Sequence, residues 1–424
     1  EDCELAAPRG QPVRFPLRRS RTALPRGVRP AALSVSVLVG LVAGGSAGFM
    51  LQREPRAAIP SPSSPRAVPA PVTRPAALDT MLAWTPNGLP RGFARSVAAM
   101  PGVHHATAVI SGIAWMTGSA SADGVTVDRP GRHLAIPIEM AGARLADYGR
   151  FLSPSDRTHL PDLAKGEGLL GRSEARLRRL GPGATLWFGE RRVRVAGIVP
   201  DAAIGANEVF VSLRTAHAFG LRTERYLLID PRKGAQRDRV AARIRALLPS
   251  GALLRIRAPG ETPYFRQGDA VLPMVRMKEV FGEFAARPVA GGYLEIDPAW
   301  VSRHIVIARI PLLGEVRCNR AIIPQLRGAL SELAASGLGQ LINPRQYGGC
   351  FSPRFVNRIP SAGISHHAWG AAVDINVAAN PYGHPPTQDG RLVAIFTRWG
   401  FTWGGRFLIP DGMHFEFIRF ASGS

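Results

Sequence analysis

Two short stretches near the end of the chain concentrate side chains able to do chemistry. In Ser365–Asn376, SHHAWGAAVDIN, His367 and Asp374 stand seven residues apart with Gly370, Ala371 and Ala372 between them. A neutral imidazole and a carboxylate are both good zinc ligands. Downstream, Asp411–Phe417 reads DGMHFEF and clusters Asp411, His414 and Glu416. A second imidazole there would complete a His, Asp, His set and leave the fourth zinc position for water, as a catalytic zinc requires. Zinc lowers the pKa of such a water towards about 7. Amide hydrolysis then needs a carboxylate to take a proton and pass it to the leaving amine. Asp411 stands just outside the ligand set for that task. Singly, each residue also has a bland reading: His366 and His367 as a polar surface pair, Asp374 as a turn residue, His414 as a satisfied core histidine.

The two stretches need elements that bring them together. The small residues after His367 predict a tight turn with close backbone approach. Asp374-Ile375-Asn376-Val377 alternates polar and apolar, as a strand with one functional face does. DGMHFEF predicts a second short strand. Of the other histidines, His384 lies in a Pro/Gly-rich loop, NPYGHPP, at the surface or the rim of a cleft. His104, His105, His133, His159, His217 and His304 show no ligand pattern.

Ser365, His367, Gly370 and Asp374, with Ala372 at the small position, resemble the S-x-H-x-x-G-x-A-x-D signature of the VanY-type zinc peptidases. That family comprises D-alanyl-D-alanine carboxypeptidases and L-alanyl-D-glutamate endopeptidases of peptidoglycan. WGGRFLIPDGMHFEF (403–417) is similar to its W-G-G…D-x-x-H-F-E segment, and GCFSPRF (349–355) to an upstream block ending in a substrate-binding arginine. The likeness covers about 130 residues, from 291 to 424. It implies His367, Asp374 and His414 as Zn2+ ligands and Asp411 as general base and acid. It implies Arg354 as the group that stabilises the oxyanion or holds a substrate carboxylate, and Ser365 as a substrate contact. His366 is the rival to His367, but its eight-residue spacing to Asp374 does not fit the family. Two departures stand out. Arg406 follows W-G-G where some members carry an acid. Asp411 stands three residues before the last ligand, where the carboxypeptidase and dipeptidase branches usually have Glu. The second favours the endopeptidase branch.

Residues 78–290 read as a mixed α/β domain. Arg191–Val199 and Glu208–Leu213 alternate as half-buried strands. Tyr226–Asp230, Ala235–Leu248 and Leu253–Ile256 predict strand, helix and strand. Gly166–Gly171, GEGLLG, matches the glycine spacing of a dinucleotide loop, but the polar SPSDRTHLPDLAK precedes it rather than a strand, so that reading is rejected. The segments 89–103, 166–200 and 245–249 resemble the extracytoplasmic core domain of MacB- and FtsX-type exporter permeases. The resemblance implies a protein-interaction or positioning module, with a protein partner bound through residues 78–290.

Residues 31–51 carry no charge and are long enough to cross about 30 Å of hydrocarbon as a helix. The seven arginines of residues 1–30 favour the cytoplasmic side, so the expected membrane topology is single-pass with the bulk outside. A cleaved signal peptide is the competing reading. Seven prolines mark 52–77 as an extended linker. The net charge of +22 is almost all arginine, since only Lys165, Lys233 and Lys278 are lysine. No aromatic-interleaved basic patch appears, which argues against nucleic acid as a partner. Three cysteines without a C-x-x-C pair exclude a cysteine zinc cluster, and export would allow a Cys318–Cys350 disulfide.

The expected fold class is therefore α+β. A C-terminal zinc peptidase domain with a small antiparallel sheet and flanking helices follows a mixed α/β domain and one transmembrane helix. The expected activity is hydrolysis of peptidoglycan stem peptides outside the membrane, with L-Ala-D-Glu endopeptidase favoured over D-alanyl-D-alanine carboxypeptidase. The rival of another class is a cell-wall-binding protein with little turnover.

Overall fold

RRVRVAGIV alternates exposed and buried side chains, and in the computed structural model Arg191–Val199 is one strand with Val193, Val195 and Val199 turned inward. The structure describes residues 80–421, so the segments 1–30, 31–51 and 52–77 and their expected roles lie outside the described residues. Among the described residues, no helix is long and apolar enough to cross a membrane.

Arg191–Val199 belongs to an eleven-stranded sheet. Its spatial order is Arg255–Arg257, Met81–Trp84, Glu224–Pro231, Val103–Met116, Ile136–Ala143, Val209–Ser212, Gly168–Gly171, Arg191–Val199, Thr185–Phe188, Gly118–Ala120, Thr126–Asp128. Most neighbours are antiparallel. Ile136–Ala143 with Val209–Ser212, and Gly168–Gly171 with Arg191–Val199, run parallel. The long strand Val103–Met116 pairs Glu224–Pro231 with its first half and Ile136–Ala143 with its second.

The GEGLLG stretch is part of this sheet and not a phosphate loop. Gly168–Gly171 is itself a buried strand, and a Cβ at Gly168 would meet Val193 Cγ1 at 2.7 Å. The following helix, Arg172–Arg178, has its first turn occupied by a carboxylate of this same chain. Asp201 accepts from the Ser173 backbone N–H at 2.9 Å and from the Ser173 hydroxyl at 2.5 Å. The segment ahead of it holds two short helices, Pro154–Arg157 and Leu160–Ala164, rather than a continuous loop.

A second core begins at Leu272 and runs to Phe417. Helix Met274–Phe281 contributes Met274, Met277 and Phe281, and Phe281 packs edge-on against Phe417 with ring centroids 4.9 Å apart. The same helix turns Lys278 towards the large sheet. Its ammonium donates to Pro137 O at 2.6 Å and Glu208 Oε1 at 2.6 Å, and lies 2.9 Å from Glu283 Oε1. Next to it Arg178 reaches Asp128 at 2.9 Å and also contacts Glu174 and Glu283. Backbone hydrogen bonds between Ala135 and Ala286 add a further tie. The large sheet and the C-terminal core thus lie in one compact unit.

The C-terminal part has the small antiparallel sheet expected of it, in the order Ala372–Asp374, His414–Phe417, Phe401–Trp403. Helices Ile323–Ala335 and Gly390–Arg398 flank it. The first strand is shorter than the alternation suggested. It stops at Asp374, because Asn376 turns to φ 54°. There its side chain accepts from Asn343 N at 2.9 Å and donates to Leu341 O at 2.8 Å. Local hydrogen bonding of this kind competes with a strand ladder.

Candidate metal centre

Strand register delivers the first two groups. Asp374 lies directly opposite His414 in the Ala372–Asp374/His414–Phe417 pair, which puts both side chains on one face. His367 arrives from the 3-10 turn His366–Trp369, started by Ser365 Oγ accepting the His367 N–H at 3.3 Å. Gly370 ends that turn at φ 64°, where a Cβ would fall 2.7 Å from Asn319 N, so glycine is required there.

His367 Nε2 lies 3.2 Å from Asp374 Oδ1 and 3.2 Å from His414 Nδ1, and His414 Nδ1 lies 3.0 Å from Asp374 Oδ1. The far side of each ring fixes its tautomer. His367 Nδ1 donates to Cys350 O at 2.8 Å, so its neutral ring presents a lone pair at Nε2. His414 Nε2 faces Glu416 Oε2 at 3.4 Å, so its neutral ring presents a lone pair at Nδ1. Two imidazole lone pairs and a carboxylate oxygen therefore converge, an acceptor-only set that a cation satisfies. Among the described residues, these three form the group able to hold a metal ion, with ligand atoms all within 4.8 Å of one another. The donor set fits zinc. Burial disfavours the His414 imidazolium, but the hydrogen bonds with Asp374 and Glu416 outweigh it and raise the ring to about 10. Burial likewise opposes ionisation of Asp374, yet His367 and His414 hold it well below the usual carboxylate range.

Asp411 enters from the turn before His414. Its N–H donates to Gly404 O at 2.9 Å and its carbonyl accepts the His414 N–H at 3.1 Å. The first glycine of W-G-G makes that approach feasible, since a Cβ on Gly404 would lie 2.7 Å from Asp411 O. Asp411 Oδ1 is buried without a partner among the described residues, and burial pushes its carboxyl up. Arg354, Ser365, Asp411 and the three candidate ligands line one cavity of about 740 Å³. Arg354 is carried on an isolated bridge to Tyr293, and its carbonyl accepts the Ser365 N–H at 3.1 Å. Arg406 is exposed, and His384 sits in an exposed loop.

Cys318 and Cys350 are disulfide-bonded, with Cα atoms 5.3 Å apart. The bond ties the segment whose Cys350 carbonyl orients His367 to the strand Gly314–Asn319.

Two neighbours gain roles that spacing did not give them. His366 does not join the candidate ligands. Its Nδ1 lies 2.9 Å from Glu416 Oε2, so Glu416 is flanked by both His366 and His414. Burial opposes ionisation of Glu416, but the two rings hold it well below the usual carboxylate range. A carboxylate behind a ligating imidazole fixes its tautomer and raises its basicity. The signal was the HFEF alternation, which sets His414 and Glu416 on one strand face. Glu416→Gln is expected to weaken zinc affinity roughly 10–100-fold, as loss of such a partner does. Competition with a chromogenic chelator measures it, and unchanged affinity would remove Glu416 from the centre.

Residues 360–417 match the family model described as D-alanyl-D-alanine carboxypeptidase. Residues 32–247 match that of the MacB-like periplasmic core domain. Among curated proteins, none matches the chain. Similar solved structures include the periplasmic region of MacB from Actinobacillus actinomycetemcomitans, at 14% identity and TM-score 0.30, covering 43% of this chain and 89% of that one. The extracellular domain of the noncanonic ABC-type transporter YknZ from Gram-positive bacteria aligns at 14% identity and TM-score 0.29, covering 42% of this chain and 99% of that one. With the larger match spanning just over half of its length, the chain belongs to the MacB-like periplasmic core domain family and carries, joined to that core, a VanY-type peptidase segment.

Proposed function

We propose that the protein is an extracytoplasmic, membrane-anchored zinc peptidase that hydrolyses stem-peptide amide bonds of peptidoglycan, with the L-Ala-D-Glu bond favoured. The convergence of His367 Nε2, Asp374 Oδ1 and His414 Nδ1 near Asp411, whose Oδ1 is buried without a partner among the described residues, carries this reading. The family match over 360–417 supports it, and the MacB-like periplasmic core supports the location outside the membrane.

His367, Asp374 and His414 would hold the metal. Bound zinc supplies Lewis acidity and a water of lowered pKa. Asp411 takes the proton from the attacking water and returns it to the leaving amine. Arg354 offers a planar, permanently charged donor pair to the developing oxyanion or to a substrate carboxylate. Ser365 holds the turn that presents His367 and lines the cavity beside the substrate. Asp411 in place of Glu favours the endopeptidase over the D-alanyl-D-alanine carboxypeptidase.

Mass analysis of products from defined muropeptides tests the bond: a cut between L-Ala and D-Glu, or loss of terminal D-Ala. In the same assay His367→Ala is expected to lose both bound zinc and cleavage, and a chelator to inactivate the wild type reversibly. Full activity in His367→Ala would overturn the assignment. A second reading, a wall-binding protein with little turnover that docks a protein partner through residues 78–290, draws on the MacB-like match. It requires slow turnover by the zinc-loaded wild type.

A further inference from the structure

The cavity that holds the candidate metal centre does not end within the peptidase segment. Part of its lining comes from the large sheet and the loop after it: Trp84, Glu139, Asn207, Arg225, Arg266 and Gln267. Buried polar atoms are normally satisfied, and each exception is destabilising unless a ligand or water meets it. Yet Trp84 Nε1, Glu139 Oε2, Asn207 Oδ1, Arg266 Nη1 and Gln267 Oε1 are all buried without a hydrogen-bond partner among the described residues. Trp84, Asn207 and Arg266 are only 5%, 2% and 8% exposed.

The charges are unequal. Arg266 Nη2 binds Glu139 Oε1 at 2.7 Å, while its Nη1 is buried without a hydrogen-bond partner among the described residues. Arg225 has no ion pair of its own among the described residues. It sits at a register shift in the sheet, between Glu224, which faces Ile110, and Tyr226, which faces Val109. Such a bulge re-aims a side chain, and this one adds a guanidinium to the cavity. The wall therefore offers two guanidinium groups and an indole N–H as donors, beside the Glu139 carboxylate, which Arg266 pairs, and the Asp269 carboxylate, which Arg257 pairs at 3.4 Å. Gln267 Oε1 and Asn207 Oδ1 are acceptors beside them. Planar guanidinium donors match a carboxylate, and the amide oxygens match a peptide N–H.

We propose that this wall of the MacB-like core is a substrate subsite of the cleft, binding a peptide carboxylate and its flanking amide at a distance from the scissile bond. The proposal rests on the peptidase reading for the identity of the peptide. It gives the core a direct share in substrate selection.

Calorimetric titration of the zinc-loaded full chain in an Asp411→Asn background, which slows turnover, tests it. The probes are a soluble stem pentapeptide and its counterparts in which one carboxylate at a time is a carboxamide. One carboxamide is expected to bind about tenfold more weakly than the free acid. Arg225→Met should abolish that difference, and Arg225→Lys should restore part of it. Trp84→Phe, which keeps an aromatic ring but lacks the indole N–H, should weaken the free acid severalfold. An acid-to-amide ratio that is the same in the parent and in Arg225→Met overturns the subsite, whether or not the wild type cleaves the peptide. If the wild type fails to cleave but the parent discriminates acid from amide through Arg225, the subsite stands and the peptidase reading falls.

Discussion

Asp411→Asn is expected to lower kcat roughly 10²–10⁴-fold, the usual worth of a positioned general base and acid, while zinc content stays at the wild-type level. The two outcomes separate because Asp411 lies outside the group able to hold the metal. The carboxamide keeps the size of the side chain and the backbone bonds of its turn, to Gly404 and His414, but cannot take up a proton. A pH profile gives a sharper readout. Burial raises the Asp411 carboxyl above its ordinary value. The group must be ionised to accept the proton, so kcat/KM should fall as pH drops through that raised pKa. The limb should vanish in Asp411→Asn. An acidic limb that persists unchanged in the variant would assign the proton transfer elsewhere.

Lys278→Met is the other large effect, and it concerns the joint between sheet and peptidase core. Lys278 is 1% exposed and is surrounded by Glu208, Glu283 and the Pro137 carbonyl. Burial alone would lower its pKa, but the carboxylates around it hold it above its ordinary value. Removing one partner of a buried pair leaves an uncompensated charge and costs about 3–5 kcal/mol. In a unit of this size that lowers Tm by on the order of 10 °C. Glu208 is then left buried and raised, so the lost stability should return as pH falls through the raised carboxyl pKa and grow as pH rises. Adding Glu208→Gln to Lys278→Met should recover much of the deficit at neutral pH. A melt of Lys278→Met within a degree of wild type would show that the joint does not depend on this pair.

Short-range features were the legible ones. The alternation of RRVRVAGIV located a strand because side-chain direction repeats every two residues whatever the rest of the chain does. The same rule puts His414 and Glu416 on one face. Glycine at 370 marked close approach, and a Cβ there would collide with the Asn319 backbone N. The rule failed at Asp374–Val377, where Asn376 found side-chain and backbone partners better than a ladder. At GEGLLG the rejection of a dinucleotide loop agrees with Gly168–Gly171 being a buried strand, where a Cβ at Gly168 would meet Val193.

By itself the sequence brought forward His367, Asp374 and His414, the three side chains whose donor atoms lie within 4.8 Å of one another. Residue type and local spacing nominated them, and the resemblance to the VanY-type peptidases set His367 above His366. Only the tertiary structure decided what stands behind and across from them. Glu416 buttresses His414 and accepts a hydrogen bond from Val271 N at 3.1 Å, across 145 residues of chain. Cys350 orients His367 through a carbonyl, a group every residue possesses and no sequence pattern can distinguish. Arg225 and Arg266 reach the cleft because the large sheet is locked against the peptidase core by Lys278 and its carboxylates. Those placements depend on how two cores pack, and packing of distant segments leaves no periodic trace in either one.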